Sequence, residues 1–160
     1  MERLLLTSPG MTEGNSSVLY LDSEDYRKIP TLLAEWVHEH DEPIPSFKLA
    51  KHGDLESLVQ IPRAHFFGME AYPTLAEKAA IIFYSINKRQ MFLNGNKRMS
   101  TLSLLVFLGI NNKMLDSTPD ELTDKAMWLA KTSSLDFPEV KGELVHWINA
   151  HMVDIPDGAL

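Results

Sequence analysis

With 160 residues, 44% of them hydrophobic and 23% charged, the chain is sized for one globular domain with a real core. A net charge of -7 excludes a general affinity for nucleic acid or an anionic membrane, because attraction to phosphate-rich surfaces needs surplus Lys and Arg. The absence of cysteine excludes disulfides and thiolate metal sites.

Residues 1–17 mix Ser, Pro, Gly, Thr and Asn and are expected to form a flexible arm, with Leu4 to Leu6 as a short apolar contact. That apolar run is too short for a secretory signal, and no later run reaches the roughly 20 residues of a membrane span. The expected location is therefore the cytoplasm. Val18 to Leu21 alternates in the manner of a short strand and marks the start of a domain expected to run from 18 to 155. Ile29, Leu32, Leu33, Trp36 and Val37 recur at helical spacing, with Pro30 near a first turn, and predict an amphipathic helix over 29–39. Two prolines and a glycine make 43–53 a connection. Asp54 then reads as the N-cap of a short helix through Gln60, stopped by Pro62.

Residues 61–73 carry a proline near each end, Gly68 inside and aromatic residues between, the pattern of an extended loop or irregular hairpin. Such a loop before a buried helix serves as a flap, or else its aromatic rings tuck under it. Thr74 and Glu77 form a capping box, and Leu75, Ala79, Ile82, Phe83 and Ile86 follow as a helical stripe. Lys88 and Arg89 in its last turn complement the negative end of the helix dipole. From Met99 to Asn112 the chain is apolar on nearly every face, as in a helix at the centre of a domain. Thr118-Pro119-Asp120-Glu121 repeats the capping box ahead of Leu122, Ala126, Leu129 and Ala130. Val140, Leu144, Trp147 and Ile148 mark a last helix over 139–150, before a polar tail at 156–160. The fold class expected is all-α, a helical bundle with a central buried helix and at most one small β-hairpin.

Between the two most apolar helices lies Gln90 to Arg98, Q-M-F-L-N-G-N-K-R. A Gly-Asn-Lys-Arg run opening a helix brings backbone N–H groups, a positive dipole end and two cations to one spot, which suits an anion such as phosphate. Gly95 lets the backbone approach a phosphate without a Cβ, and Asn96 braces the turn. Arg98 suits bidentate phosphate contact, while Lys97 acts as a point charge. The bland alternatives are an N-cap at Asn96 and solvated charges at 97 and 98. Cations at that end oppose the dipole, which favours an anionic ligand. Phe92 fits the core better than a ligand. His65 is the one histidine near this run in sequence, and nothing in its spacing demands that it serve as a relocated catalytic base; His38, His40, His52, His146 and His151 form no metal-ligand spacing.

These residues resemble the Fic/Doc family, nearest its Doc (death-on-curing) toxin branch. The likeness is carried by Tyr72 to Ala80, by Phe92-Leu93-Asn94-Gly95-Asn96-Lys97-Arg98 and by the apolar helix to Asn112. It runs from about Asp54 to Leu115, more weakly through 119–131. The family signature H-x-F-x-(D/E)-G-N-(G/K)-R matches in register at Phe, Gly, Asn, Lys and Arg. The resemblance implies ATP or another nucleotide bound by Gly95, Asn96, Lys97 and Arg98. It also implies a target-aligning flap around His65, Phe66, Phe67 and Gly68, and transfer of a phosphoryl or AMP group to a protein hydroxyl. Possible partners are a target protein and an antitoxin-like chain. No inhibitory segment of the family type, S/T-x-x-x-E-(G/N), is present, since Ser117 to Leu122 ends in Leu.

Two positions depart from the signature, and both carry chemistry. Gln90 stands where the family has its proton-accepting His, and Asn94 where it has the Asp or Glu that holds Mg²⁺. An amide cannot accept a proton near neutral pH, and general-base catalysis is worth roughly 10²–10⁴-fold. Asn94 offers a carbonyl oxygen without charge, a weak Mg²⁺ ligand. The sequence thus supports three readings: a nucleotide- or phosphate-binding protein with lost or weakened transfer, an active divergent toxin of a toxin-antitoxin pair, and a non-catalytic regulatory binder.

Overall fold

A computed structural model describes residues 17–37, 48–49 and 54–159, with the side chains of 33–37 excepted. The expectations for Leu4 to Leu6, for most of the 1–17 arm, for most of the 43–53 connection and for His38, His40 and His52 lie outside the described residues. Those residues form six α-helices and two small antiparallel sheets, the helical class expected. In chain order these are α1 (Ser23–Val37), α2 (Leu55–Gln60), β1 (His65–Phe66), β2 (Met69–Glu70), α3 (Leu75–Arg89), α4 (Asn96–Ile110), β3 (Lys113–Leu115), α5 (Pro119–Lys131), α6 (Phe137–His151) and β4 (Met152–Asp154).

The core is built around α3 and α4, which pack most extensively on each other; α6 joins α3, and α1 and α5 join α4. Ala76, Ala79, Ala80, Ile82, Phe83 and Ile86 of α3 meet Met99, Leu104, Phe107 and Leu108 of α4, with Leu129, Leu144 and Ile148 closing the far side. Every α4 residue from Met99 to Ile110 is buried or half-buried, as its unbroken apolar composition requires.

Both capping boxes form. Thr74 and Glu77 exchange hydrogen bonds at the start of α3, and Thr118 and Glu121 do so at the start of α5. The side chain of Asp54 likewise caps α2. Three local expectations are corrected. The first helix begins at Ser23 rather than Ile29, because Asp22 and Asp25 cap it reciprocally, each backbone N–H donating to the other's carboxylate. Pro30 consequently sits inside α1, where it brings no N–H for the carbonyl four residues back. Val18 to Leu21 is extended but joins no sheet; the amide of Asn111 serves as its partner, accepting from the Leu19 N–H and donating to the Leu19 carbonyl at 2.9 and 3.0 Å. The alternation there reflects packing, with Leu21 buried and Val18 and Tyr20 against the core.

The number of sheets also exceeds the one hairpin expected. β1 and β2 form that hairpin, while β3 and β4 pair across a long sequence separation, Met114 opposite Val153. Because β4 consists of only three residues directly after α6, it has little sequence signal of its own. In α5, Ala130 is exposed although its spacing suggested the buried face; Ala126 and Leu129 are the buried pair.

Burial pushes the Glu77 carboxyl upward, but the hydrogen bonds from Thr74 and the neighbouring Lys141 ammonium outweigh it and leave the group below its ordinary value of 4.5. A depressed carboxyl stabilises the fold above the unfolded-state value and loses that contribution as pH falls through its folded-state value. Glu77→Gln keeps a cap-competent side chain but does not titrate. Its thermal midpoint is therefore expected to fall less steeply than that of the wild type as pH is lowered from neutrality through 4.5, in parallel melts followed by circular dichroism.

Candidate functional site

The loop between α3 and α4 is held from both sides. α3 ends on Gln90 in the left-handed conformation, φ 48°, which turns the chain sharply out of the helix and leaves Gln90 exposed. Met91 and Phe92 then plunge into the core, each 3% exposed, and anchor the loop by apolar burial. Phe92 pairs with Leu49 in an antiparallel bridge, and the Leu93 N–H donates to the Lys48 carbonyl at 2.8 Å.

Asn96 closes the turn. Its Oδ1 accepts from the Phe92 N–H at 2.9 Å, and its Nδ2 donates to the Phe92 carbonyl at 2.8 Å. The side chain thus spans the loop as a strand partner would. Gly95 takes the N-cap position of α4 at φ 68°, a left-handed geometry natural to glycine, and no side chain caps the helix. The first-turn N–H groups and the positive dipole end therefore open beside Lys97 and Arg98, both exposed. Asn94 is exposed in the same turn. Gln90, Asn94, Gly95, Lys97 and Arg98 are thereby brought together on one loop, with Asn96 as its brace.

The donor set suits a phosphate and suits Mg²⁺ poorly. Backbone N–H groups, a guanidinium and an ammonium are anion ligands, whereas a divalent cation takes hard oxygens, preferably carboxylates. The loop offers only amide oxygens, and among the described residues no group of three or more His, Cys, Asp or Glu side chains could hold a metal ion.

Behind the loop runs a polar string that the sequence did not reveal. Asn87, buried in α3, donates from Nδ2 to the Ala126 carbonyl of α5 at 3.1 Å and more distantly to the Ser100 hydroxyl of α4 at 3.5 Å. The Ser100 hydroxyl in turn donates to the Lys97 carbonyl at 2.7 Å. Next to it, the Lys88 ammonium donates to the Thr132 and Ala130 carbonyls, so this cation serves the C-terminal end of α5 as well as standing in the last turn of α3.

The hairpin leads into the other end of α3, which a helix of 15 residues places about 22 Å along its axis from Gln90. His65 stands opposite Glu70, and Phe66 opposite Met69, across a two-residue turn of Phe67 and Gly68. Both turn residues have positive φ, 52° and 77°, as a type I′ hairpin needs. Phe66, Phe67 and Met69 are exposed, so the reading in which these side chains tuck under the loop does not hold. The His65 Nδ1 donates to the Arg63 carbonyl at 2.8 Å.

Lys78 sets the stance of this hairpin. Its side chain is only 2% exposed, and the ammonium donates to the carbonyls of Tyr72 at 2.6 Å and Pro62 at 3.4 Å, with the Glu70 carboxylate at 3.5 Å. A signal for it existed: Lys78 lies three residues after Leu75 and four before Ile82, inside the apolar stripe. No described helix is long and apolar enough to cross a membrane.

Comparison with known proteins gives two matches. Residues 20–108 match the model of the Fic/DOC family, a stretch that includes α1 and so extends beyond the likeness from Asp54 onward seen in the motifs. The chain is also similar to a protein called Toxin Doc from Mycolicibacterium smegmatis, 31% identical over 98 residues that cover 61% of this chain and 75% of the relative. No solved structure gave a significant match.

Asn96→Ala removes both hydrogen bonds that close the turn at the buried Phe92. The expected loss is about 1–3 kcal/mol of unfolding free energy in urea melts, with an unchanged slope because the surface exposed on unfolding is the same. Accelerated amide exchange should be concentrated in residues 91–98.

Proposed function

Because the chain belongs to the Fic/DOC family, we propose that the α3–α4 loop binds the phosphates of ATP or another nucleotide, and that transfer of a phosphoryl or AMP group to a protein hydroxyl is lost or strongly weakened. The reading is carried by one observation: the start of α4, uncapped by any side chain and opened by a left-handed Gly95, lies beside two exposed cations and two exposed amides.

In this reading each residue has a role set by its chemistry. The N–H groups of Asn96 to Arg98 and the Arg98 guanidinium ligate phosphate oxygens, Lys97 adds a point charge, and Asn96 holds the turn. The nucleotide, when bound, supplies the transferable group. Gln90 can orient a target hydroxyl by hydrogen bonding, but it cannot take the proton that must leave when the hydroxyl attacks. The hairpin around His65, Phe66, Phe67 and Gly68 presents an exposed edge and apolar side chains to a target segment. A second reading, an active divergent toxin paired with an antitoxin-like protein, is favoured by the similarity to Toxin Doc. There, electrostatic positioning supplies the acceleration that the missing base does not.

Two measurements decide between these readings. Calorimetric titration with ATP is expected to show binding by the wild type and at least tenfold weaker binding by Arg98→Ala, the loss of a charged hydrogen-bonded ligand. Absence of ATP binding by the wild type sinks the phosphate-site reading. Incubation with labelled ATP and a cell lysate is expected to label protein with the double variant Gln90→His/Asn94→Asp and not with the wild type. Strong labelling by the wild type that is lost in Arg98→Ala establishes the second reading instead.

A further inference from the structure

The family pattern places a Mg²⁺-holding carboxylate where this chain has Asn94, and the sequence on either side of Asn94 continues the departure. From Lys78 through Leu115 the chain has no Asp or Glu at all, whereas Lys78, Lys88, Arg89, Lys97, Arg98 and Lys113 all fall within that stretch. In a chain of net charge -7 this is a run carrying basic charges only, and the α3–α4 loop lies near its middle in sequence, although Lys78 and Lys113 pair with Glu70 and Asp154 beyond it. Every acidic side chain belongs to the flanking sequence.

A carboxylate at position 94 repels a phosphate unless a cation stands between them. An exposed amide removes that repulsion and can turn its Nδ2 toward a phosphate oxygen as a donor. The loop therefore has no need of a bridging cation and no strong ligand for one. Lys97, Arg98 and the N-terminal end of α4 already supply positive charge there.

We propose that this site binds its phosphate ligand in the metal-free form, with Mg²⁺ acting as a competitor rather than a cofactor. The inference rests on the phosphate-site reading given under Proposed function. Mg²⁺ bound to a nucleotide cancels part of its negative charge and occupies phosphate oxygens, so it weakens the attraction to Lys97, Arg98 and the helix end.

The test is calorimetric titration of the full chain with ATP at constant ionic strength, once in EDTA and once in excess MgCl₂, for the wild type, Asn94→Asp and Asn94→Ala. The wild type is expected to bind ATP several-fold more tightly in EDTA than in MgCl₂, and equal binding in the two buffers overturns the competitor role. Asn94→Asp is expected to bind about fivefold more weakly than the wild type in EDTA, the effect of one like charge near the phosphates. It should recover in MgCl₂, reversing the sign of the metal effect. Asn94→Ala loses the amide donor but adds no charge, so its affinity can fall in both buffers while the direction of the metal effect stays that of the wild type, which separates charge from any folding defect visible by circular dichroism. Wild-type binding that is several-fold tighter with MgCl₂, or that needs it, overturns this inference and leaves the phosphate site standing. An Asn94→Asp protein that folds but binds like the wild type in both buffers also overturns it. Absence of wild-type binding in both buffers overturns the phosphate-site reading and this inference together.

Discussion

The two hydrogen bonds between the Asn96 side chain and the Phe92 backbone are the constraint on which the site depends. α3 and α4 are both buried helices, and the chain must reverse between them while passing two apolar residues into the core. A turn that buries Phe92 needs partners for its main-chain groups. Asn96 supplies a donor and an acceptor from one planar amide, and by lying in the first turn of α4 it ties the loop to the helix. With the brace made by Asn96, the N-cap falls to Gly95, which has no side chain to offer. The first-turn N–H groups thus receive no side-chain cap from the N-cap residue.

The same economy governs the polar groups behind the loop. Asn87 and Lys88 link the end of α3 to carbonyls of α5, and Ser100 links the first turn of α4 into that string. At the other end of α3, the buried ammonium of Lys78 gathers carbonyls from both sides of the hairpin. Desolvating a cation is costly unless its donors are paired, and Lys78 has three acceptors for three protons. α3 therefore works as a rod whose two ends fix the α3–α4 loop and the exposed hairpin. The hairpin itself stores some strain, because a bulky Phe67 occupies a left-handed position that glycine or asparagine fills more easily.

Replacing an imidazole and a carboxylate by two amides changes the site in one direction. The first change removes a proton acceptor, and the second removes a negative charge and a strong metal ligand. From Lys78 through Leu115 the sequence that builds the loop and its two helices carries no Asp or Glu. Lys97 and Arg98 stand in the first turn of α4, where their charge opposes the helix dipole.

The helices were legible from the sequence because their determinants are local. Capping boxes at Thr74 and Thr118, the Asp54 cap and the apolar periodicity of α3 and α4 act within a few residues, and each formed where its pattern lay. The motif loop was legible for the same reason, as a contiguous run whose residue types carry their own chemistry. Where two local signals compete, as the Asp22–Asp25 cap does with Pro30 at the start of α1, the cap prevails and the helix starts at Ser23. What only the tertiary structure decided involves partners distant in the chain: Asn111 with Leu19, Asn87 with Ala126, Lys88 with Thr132, β3 with β4. A polar side chain in a helix looks the same in sequence whether it faces water or a carbonyl of another helix, because its partner is chosen by packing after the helices have formed.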